Sequence, residues 1–475
     1  MIKGYEMVIG LEVHIELKTA TKIFCGCLTA FGAEPNTQCC PVCMGYPGTL
    51  PVLNQRVAEY AITAGLALNC DIAPYSKQDR KNYFYPDLPK AYQISQYDLP
   101  LCKGGWLDIE TAAGPKRVGI TRIHIEEDAG KLLHSERGTL VDCNRCGVPL
   151  IEVVSEPDLR SAEEARAYLR KLRAVILYTG VSDCKMNEGS MRCDVNLSVR
   201  KQGETKLGAR AEMKNLNSIQ FAVKSIEYEY ARQVEVLEAG GQLTQETRRF
   251  DPDTGRTYPM RVKEDANDYR YFPDPDLPPV TTTAEQAARI KALLPELPDA
   301  RKARYAQEFK LQDRDGEIIT SDKGLADYFE QSAALCKYPK ILANLLISDL
   351  GTITGGSEDF ACPVTPRHMA ELAELLGDEI INNSTAKRIL KDICEEDRGP
   401  REIVASQGLE QINDEAALLT FALSAIEADP KSARDFRNGK DAAAKVIIGR
   451  AMARSGGKAN PRKLSQLVSE TLRGS

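Results

Sequence analysis

The sequence predicts an α+β protein, with a largely antiparallel sheet and interspersed helices over residues 1–290, an all-helical segment at 291–405 and a small helical tail at 406–475. Three observations carry this. Period-two alternation recurs in five segments of the first 280 residues, the proline-rich stretch "YFPDPDLPPV" (271–280) ends that regime, and apolar spacing beyond it turns helical. A chain of 475 residues is also longer than one ordinary core organises.

The first strand reads "IGLEVHIELK" (9–18). Ile9, Leu11, Val13, Ile15 and Leu17 share one parity, and Glu12, His14, Glu16 and Lys18 the other, as in a strand with one buried and one wet face. Strands follow in "GITRIHIEEDAG" (119–130), "GVPLIEVV" (147–154), "MRCDVNLSVR" (191–200) and "ARAEMKNL" (209–216). Helices are expected at Gln55–Ala67 and at Ala162–Tyr178, the latter capped by Ser161. The prolines of 271–280 mark a linker or extended arm, because proline lacks a donor and restrains its neighbour. Past them, "TTTAEQAARIKALL" opens with a capping-box spacing from Thr282 to Glu285, and "TPRHMAELAELLGDEI" and "AAAKVIIGRAMARSGG" repeat at helical intervals.

Hydrophobic residues at 43% and charged residues at 27% describe a soluble globular protein. The start "MIKGYEMVIGLEVHIELK" has no secretory apolar core and no run is long enough to span a bilayer, so a cytoplasmic protein without a membrane partner is expected. Its 14 cysteines are then mostly reduced. The net charge of −6 is uneven: residues 431–475 hold 11 Lys/Arg against 3 Asp/Glu, a balance of +8 that leaves −14 for residues 1–430. Such a basic tail suits contact with nucleic-acid phosphates.

The wet parities are unusually acidic. If the strands are neighbours, Glu12, His14, Glu126 or Glu127, Glu152, Asp194 and Glu212 converge on one surface. Clustered carboxylates raise one another's pKa, so a cation or interleaved Arg and Lys must accompany them. An oxygen-rich set with one imidazole fits Mg²⁺ or Mn²⁺ better than zinc. No G-x-x-x-x-G-K-[ST] loop is present, which argues against a P-loop nucleotide site.

"FCGCLTAFGAEPNTQCCPVCMGYPG" carries Cys25-x-Cys27 and Cys40-x-x-Cys43, two close pairs suited to a structural tetrahedral zinc, with Cys39 as a spare. Cys143 and Cys146 form a further C-x-x-C without a second pair nearby in sequence, and read as small semi-buried residues. In "DRKNYFYPDLPKAYQISQYDLP" (79–100), Tyr83, Phe84, Tyr85, Tyr92 and Tyr97 alternate with Arg80, Lys81 and Lys90, a mixture that stacks bases and meets phosphates, or that packs a rigid loop.

Together "IGLEVHIEL", "DRKNYFYPDLPKAYQISQ", "TRIHIEEDAGK", "NRCGVPLIEVVSEPD", "EGSMRCDVNLSVR", "EMKNLNS", "DYRYFPDPDLP" and "NGKDAAAKVIIGRAMARSGGKANP" closely resemble the B subunits of glutamyl/aspartyl-tRNA amidotransferases. The resemblance implies a cradle-shaped, kinase-like N-terminal domain on the antiparallel sheet, a helical domain and a tRNA-holding tail. It implies work with a glutaminase A subunit and a small C subunit on misacylated Glu-tRNA(Gln) or Asp-tRNA(Asn), with ATP and Mg²⁺ as phosphoryl donor and cofactor. By the same resemblance Glu12, His14, Glu127 and Glu152 are the catalytic and metal shell, with Glu126, Asp194 and Glu212 close by. Parity favours Glu126 over Glu127, and the family pattern makes Glu127 at least as good a match. Lys81, Lys185 and Arg192 are candidates for phosphate contacts. Only some members carry the four-cysteine pattern, and the "CNRC" cysteines depart from the family. The rival reading is a non-catalytic, zinc-containing scaffold that binds tRNA.

Overall fold

Strand β1 (Tyr5–Glu16) is the spine of the N-terminal part. The computed structural model describes residues 2, 4–136, 138–262, 269–351 and 360–474. These form two compact units, Met1–Pro298 and Asp299–Ser475. After β1 the first unit runs through β2 (Asp71–Ile72), β3 (Tyr75–Ser76), β4 (Asp79–Asn82), β5 (Tyr92–Ser95), β6 (Cys102–Thr111), β7 (Gly114–Glu127), β8 (Lys131–Ser135) and β9 (Gly138–Asp142). It continues with β10 (Pro149–Ser155), β11 (Met191–Lys201), β12 (Ala211–Lys214), β13 (Glu246–Asp251), β14 (Arg256–Val262), β15 (Phe272–Pro273) and β16 (Val280–Thr281).

Nine strands make the main sheet, in the order β14-β13-β12-β11-β1-β10-β7-β6-β2. Every junction is antiparallel except β12 with β13. The mixed α+β class therefore stands. Helices α1 (Gln55–Ala67), α2 (Ala162–Thr179) and α3 (Ile219–Glu238) supply Val57, Ala61, Tyr168, Leu169, Leu172, Ala222 and Ile226 to one core with Ile9, Leu11, Val13, Ile15, Ile125, Ile151 and Val195. Each such aliphatic side chain contributes roughly 1.5–3 kcal/mol on burial. The apolar parity of β1 thus faces the helices, which leaves its polar parity on the other side of the sheet.

Local signals set the helix ends. Asn54 Oδ1 accepts from Arg56 N at 3.0 Å, Ser161 Oγ accepts from Glu164 N at 3.1 Å, and Gly180 closes α2 at φ 73°. The capping box before α4 (Ala284–Ala292) is Thr283 with Gln286, one residue beyond the predicted Thr282 and Glu285. The reason is tertiary: β16 pairs with β3 and Thr282 N bonds Pro74 O, so Thr282 belongs to the extended arm. That arm is pinned again where β15 pairs with β4 and Arg80 Nε meets Asp274 Oδ2 at 2.6 Å.

Among the described residues, the helices that follow are α5 (Pro298–Glu308), α6 (Asp313–Thr320), α7 (Lys323–Ala333), α8 (Pro339–Asn344), which runs into a π-helical turn at Leu345–Leu350, α9 (Pro366–Gly377), α10 (Asn383–Glu395) and α11 (Pro400–Gln407). Helices α12 (Glu415–Ala428), α13 (Pro430–Arg437), α14 (Ala442–Arg454) and α15 (Pro461–Gly474) then enclose a cluster of their own around Leu418, Ala422, Phe436, Ile447, Leu464 and Val468. Among the described residues no helix is long and apolar enough to cross a membrane.

Gly105 on β6 shows how tightly the first core closes. A Cβ there would stand 2.4 Å from Cys70 Sγ and 2.6 Å from Leu68 O. Gly105→Ala is expected to cost about 1–3 kcal/mol through overpacking, read as a lower denaturant midpoint. A loss below about 0.5 kcal/mol, the range of a neutral surface change, would show that this edge yields freely.

Candidate active site

Strand pairing assembles the polar face row by row. His14 lies opposite Glu152 on β10 and Arg192 on β11, and Glu152 lies opposite His124 on β7. One row along the sheet, Glu12 lies opposite Asp194; a further row brings Asn196 opposite Glu212 on β12. Leu150, opposite both Glu16 and Glu126, completes the other side. Residues directly opposed across antiparallel strands stand roughly 4.5–5.5 Å apart at Cβ, so these acids are neighbours by construction.

They divide into two groups. In the first, His14, Glu126 and Glu152 each offer one ligand atom, all within 4.8 Å of one another. His14 Nε2 is 3.2 Å from Glu126 Oε1 and 3.8 Å from Glu152 Oε2, while His124 Nε2 is 3.0 Å from Glu152 Oε2. Burial alone would lower the His14 pKa, but the Glu152, Glu126 and Asp194 carboxylates override it and push it up to about 9. Glu152 would be raised by burial, and the imidazoles of His124 and His14 with Lys81 hold it well below the usual carboxylate range. Glu126 Oε1 is buried and, despite its closeness to His14, makes no aligned hydrogen bond. An orphaned carboxylate oxygen beside a second carboxylate and an imidazole suits a hard divalent cation, which would replace the proton on His14.

The second group, Glu12, Asp194 and Glu212, also lies within 4.8 Å but already holds a cation of its own. Lys214 Nζ sits 2.5 Å from Asp194 Oδ2 and 3.1 Å from Glu212 Oε1. Burial would lower the Lys214 pKa, and those two carboxylates raise it instead. Asn196 Nδ2 donates to Glu12 Oε1 at 2.9 Å, and Thr247 Oγ1 to Glu212 Oε2 at 3.1 Å.

Glu127 is not brought to either group. Period two sends it through the sheet, where Lys90 Nζ pairs with its Oε1 and Ile94 N donates to the same oxygen at 2.9 Å. Parity accounts for the placement of Glu126 on this face and of Glu127 away from it. Of the basic candidates, Lys81 on β4 faces the first group. Burial alone would lower its pKa, but Tyr271, Glu126, Tyr83 and Glu152 raise it, and its ammonium stands 4.9 Å from the Tyr269 ring centre and 5.6 Å from that of Tyr83. Arg192 is turned to Asp128, at 2.7 Å, and Arg145 shares that carboxylate at 3.5 Å. Burial and Asp128 push neighbouring Glu16 up to about 8. Lys185 sits in the turn before β11, 3.1 Å from Glu188 Oε1.

Several participants escape a reading of the sequence. His124 shares the parity of Glu126 and could have been added on that ground; Tyr269 and Tyr271 reach Lys81 only because the proline arm folds back on β4. Phe84 and Tyr85 of the aromatic loop are exposed, whereas Tyr97 stacks on Tyr271 at 4.4 Å.

The cysteines gather as the spacing predicts. Cys25, Cys27, Cys40 and Cys43 present sulfurs within 4.8 Å of one another, with Cys40 Sγ and Cys43 Sγ 4.0 Å apart. A tetrahedron with Zn–S of about 2.3 Å has edges of about 3.8 Å, so the set fits zinc with small adjustment. A hydrogen bond from the Cys25 thiol, opposed by burial and helped by Cys40 N–H and the Lys22 charge, draws Cys43 down to about 4. Cys143 and Cys146 are buried close by.

Residues 7–288 match the family described as the GatB/GatE catalytic domain, and residues 327–472 the GatB domain. The chain is 54% identical over 471 residues to the aspartyl/glutamyl-tRNA(Asn/Gln) amidotransferase B subunit of Caldanaerobacter subterraneus subsp. tengcongensis, covering 98% of this chain and 99% of that one. It is 53% identical over 475 residues to the protein of the same name from Caldicellulosiruptor saccharolyticus, and 50% over 472 residues to that of Brevibacillus brevis, in both cases across 98% of this chain and 99% of the relative. The family model with the polar sheet face in its span covers more than half the chain, and the relatives extend over almost all of it. The chain therefore belongs to the family of aspartyl/glutamyl-tRNA(Asn/Gln) amidotransferase B subunits.

Proposed function

We propose that this chain activates the side-chain carboxylate of a misacylated tRNA, Glu-tRNA(Gln) or Asp-tRNA(Asn), and presents it for amidation. A carboxylate does not react with ammonia directly, because oxide would have to leave. Phosphorylation solves this: a carboxylate oxygen takes the γ-phosphoryl group of ATP, releasing ADP, and ammonia then attacks the acyl carbon with inorganic phosphate as leaving group. The observation that carries the proposal is the His14, Glu126 and Glu152 group with its orphaned carboxylate oxygen.

Those three residues would hold Mg²⁺, which when bound neutralises charge on the phosphates. Lys81 faces the same group from the aromatic loop and, among the described residues, is the best-placed cation for a phosphate oxygen. Asp194 and Glu212, tied together by Lys214, and Glu12, held by Asn196, fix the floor of the face beside it. Arg192, in the row of His14 but locked to Asp128, is a weaker phosphate contact, and Lys185 weaker still. Ammonia comes from a glutaminase A subunit, with a small C subunit completing a cytoplasmic assembly, and the basic end of the chain holds tRNA. The Cys25, Cys27, Cys40 and Cys43 set takes a structural zinc.

Glu152→Gln is expected to lower tRNA-dependent ATP hydrolysis by the assembled enzyme about 100-fold or more, the equivalent of several kcal/mol of lost charge stabilisation. Activity at the wild-type level would favour a scaffold without catalytic function. The two adjacent acids separate further. Glu126→Gln should raise the Mg²⁺ concentration for half-maximal ATP hydrolysis about 10-fold or more, and Glu127→Gln should leave it in place; the reverse ranking would reassign the ligand. Truncation after Gln407, at the end of α11, should weaken tRNA binding and flatten its salt dependence, since each phosphate contact adds about 0.9 to the slope. Unchanged affinity with an unchanged slope would put the tRNA contacts elsewhere.

A further inference from the structure

Lys22 is fully buried, an unusual place for an ammonium unless it is paired. Its backbone belongs to the cysteine loop: Lys22 N bonds Cys27 O, Thr21 bridges Leu28, and the next residue's N–H bonds Gly147 O. From there the side chain runs under the cluster, and Nζ ends 3.6 Å from Cys43 Sγ and 3.3 Å from Cys143 O. Gly147 packs beside it: a Cβ there would lie in ordinary contact, 3.6 Å from Cys43 Cβ and 3.9 Å from both Lys22 Cδ and Glu127 Oε2.

The carboxylate that lines this site is committed elsewhere. Glu127 lines the same cavity of about 120 Å³, but it is paired with Lys90 and accepts from Ile94 N, and among the described residues Lys22 makes no ion pair with an acid. One cysteine sulfur and one carbonyl are the polar partners this structure gives the ammonium, and a single thiolate offsets its charge without completing its hydrogen bonds. Four thiolates around a divalent zinc, carrying a net charge of about −2, are good compensation.

We propose that Lys22 is the built-in counter-charge of the four-cysteine site, donating a hydrogen bond to Cys43 Sγ and offsetting part of the excess negative charge of a bound zinc tetrathiolate. The proposal rests on the zinc reading of Cys25, Cys27, Cys40 and Cys43. It makes Lys22 a positioning residue: it touches a ligand sulfur, not the metal, and it explains why a basic residue precedes the first cysteine pair in "TKIFCGC". Groups that orient and neutralise metal ligands change affinity by about 10–100-fold when removed.

The test uses the full-length chain with zinc and with cobalt as a visible probe. Lys22→Met keeps the length and apolar stem and removes the charge; Lys22→Gln keeps an N–H donor without charge and serves where Lys22→Met does not fold. Competition against a chromophoric chelator should show zinc held about 10–100-fold more weakly by the variants. In the cobalt form of Lys22→Met, the sulfur-to-metal charge-transfer band should move to longer wavelength, since a sulfur lone pair that loses its hydrogen bond gives up electron density more easily. Wild-type affinity and an unmoved band in a folded variant would overturn the role of Lys22. A wild-type chain that takes up neither zinc nor cobalt would overturn the four-thiolate reading itself, a different result from equal binding by wild type and variant.

Discussion

The antiparallel pairing of β1 with β10 on one side and β11 on the other is the constraint on which the rest depends. Because side chains alternate, a slip of one residue would send Glu12 and His14 into the helical core and Leu11 and Val13 into water. The apolar parity fixes the register: Ile9, Leu11, Val13 and Ile15 are almost completely buried against α2 and α3 partners such as Leu172 and Ile226. Core packing on one face therefore aligns the acids on the other, and the cost of burying a carboxylate in the wrong face protects that alignment.

Charge balance then shapes the polar face. Its carboxylates are close enough to raise one another's pKa, and each group meets the problem differently. Lys214 serves Asp194 and Glu212; Arg192 and Arg145 serve Asp128; Glu16 sits beside that pair with its pKa raised to about 8. The His14, Glu126 and Glu152 group depends on imidazoles and on Lys81, and its buried Glu126 Oε1 stands beside the His14 imidazole without an aligned hydrogen bond. This uneven compensation, more than the number of acids, singles out one corner of the sheet for a cation and the phosphates it would accompany.

The end of β7 serves both sides of the sheet. Glu126 joins the polar face, and Glu127, one residue on, anchors Lys90 and the β5 backbone in the cavity that Cys25, Cys43 and Lys22 also line. The sheet end is thereby tied to the cysteine loop through Glu127 and its partners. Two basic side chains in one small cavity, Lys90 held by a carboxylate and Lys22 beside a thiol sulfur, show how closely the two regions are matched in charge.

The sequence by itself determined the period of each strand, and with it the parity of Glu12, His14, Glu126, Glu152, Asp194 and Glu212. It also determined the helices at Gln55–Ala67 and after Ser161, and the four close cysteines, because alternation, capping and ligand spacing are local properties of the chain. Only the tertiary structure decided that these strands are neighbours, that Glu127 turns away to Lys90, that Lys214 already occupies the second acidic group, and that Thr282 stays in the arm while Thr283 caps α4. Pairing order, the partner across a register and the burial of a charge such as Lys22 depend on segments tens to hundreds of residues apart. No local pattern encodes which of those segments will meet.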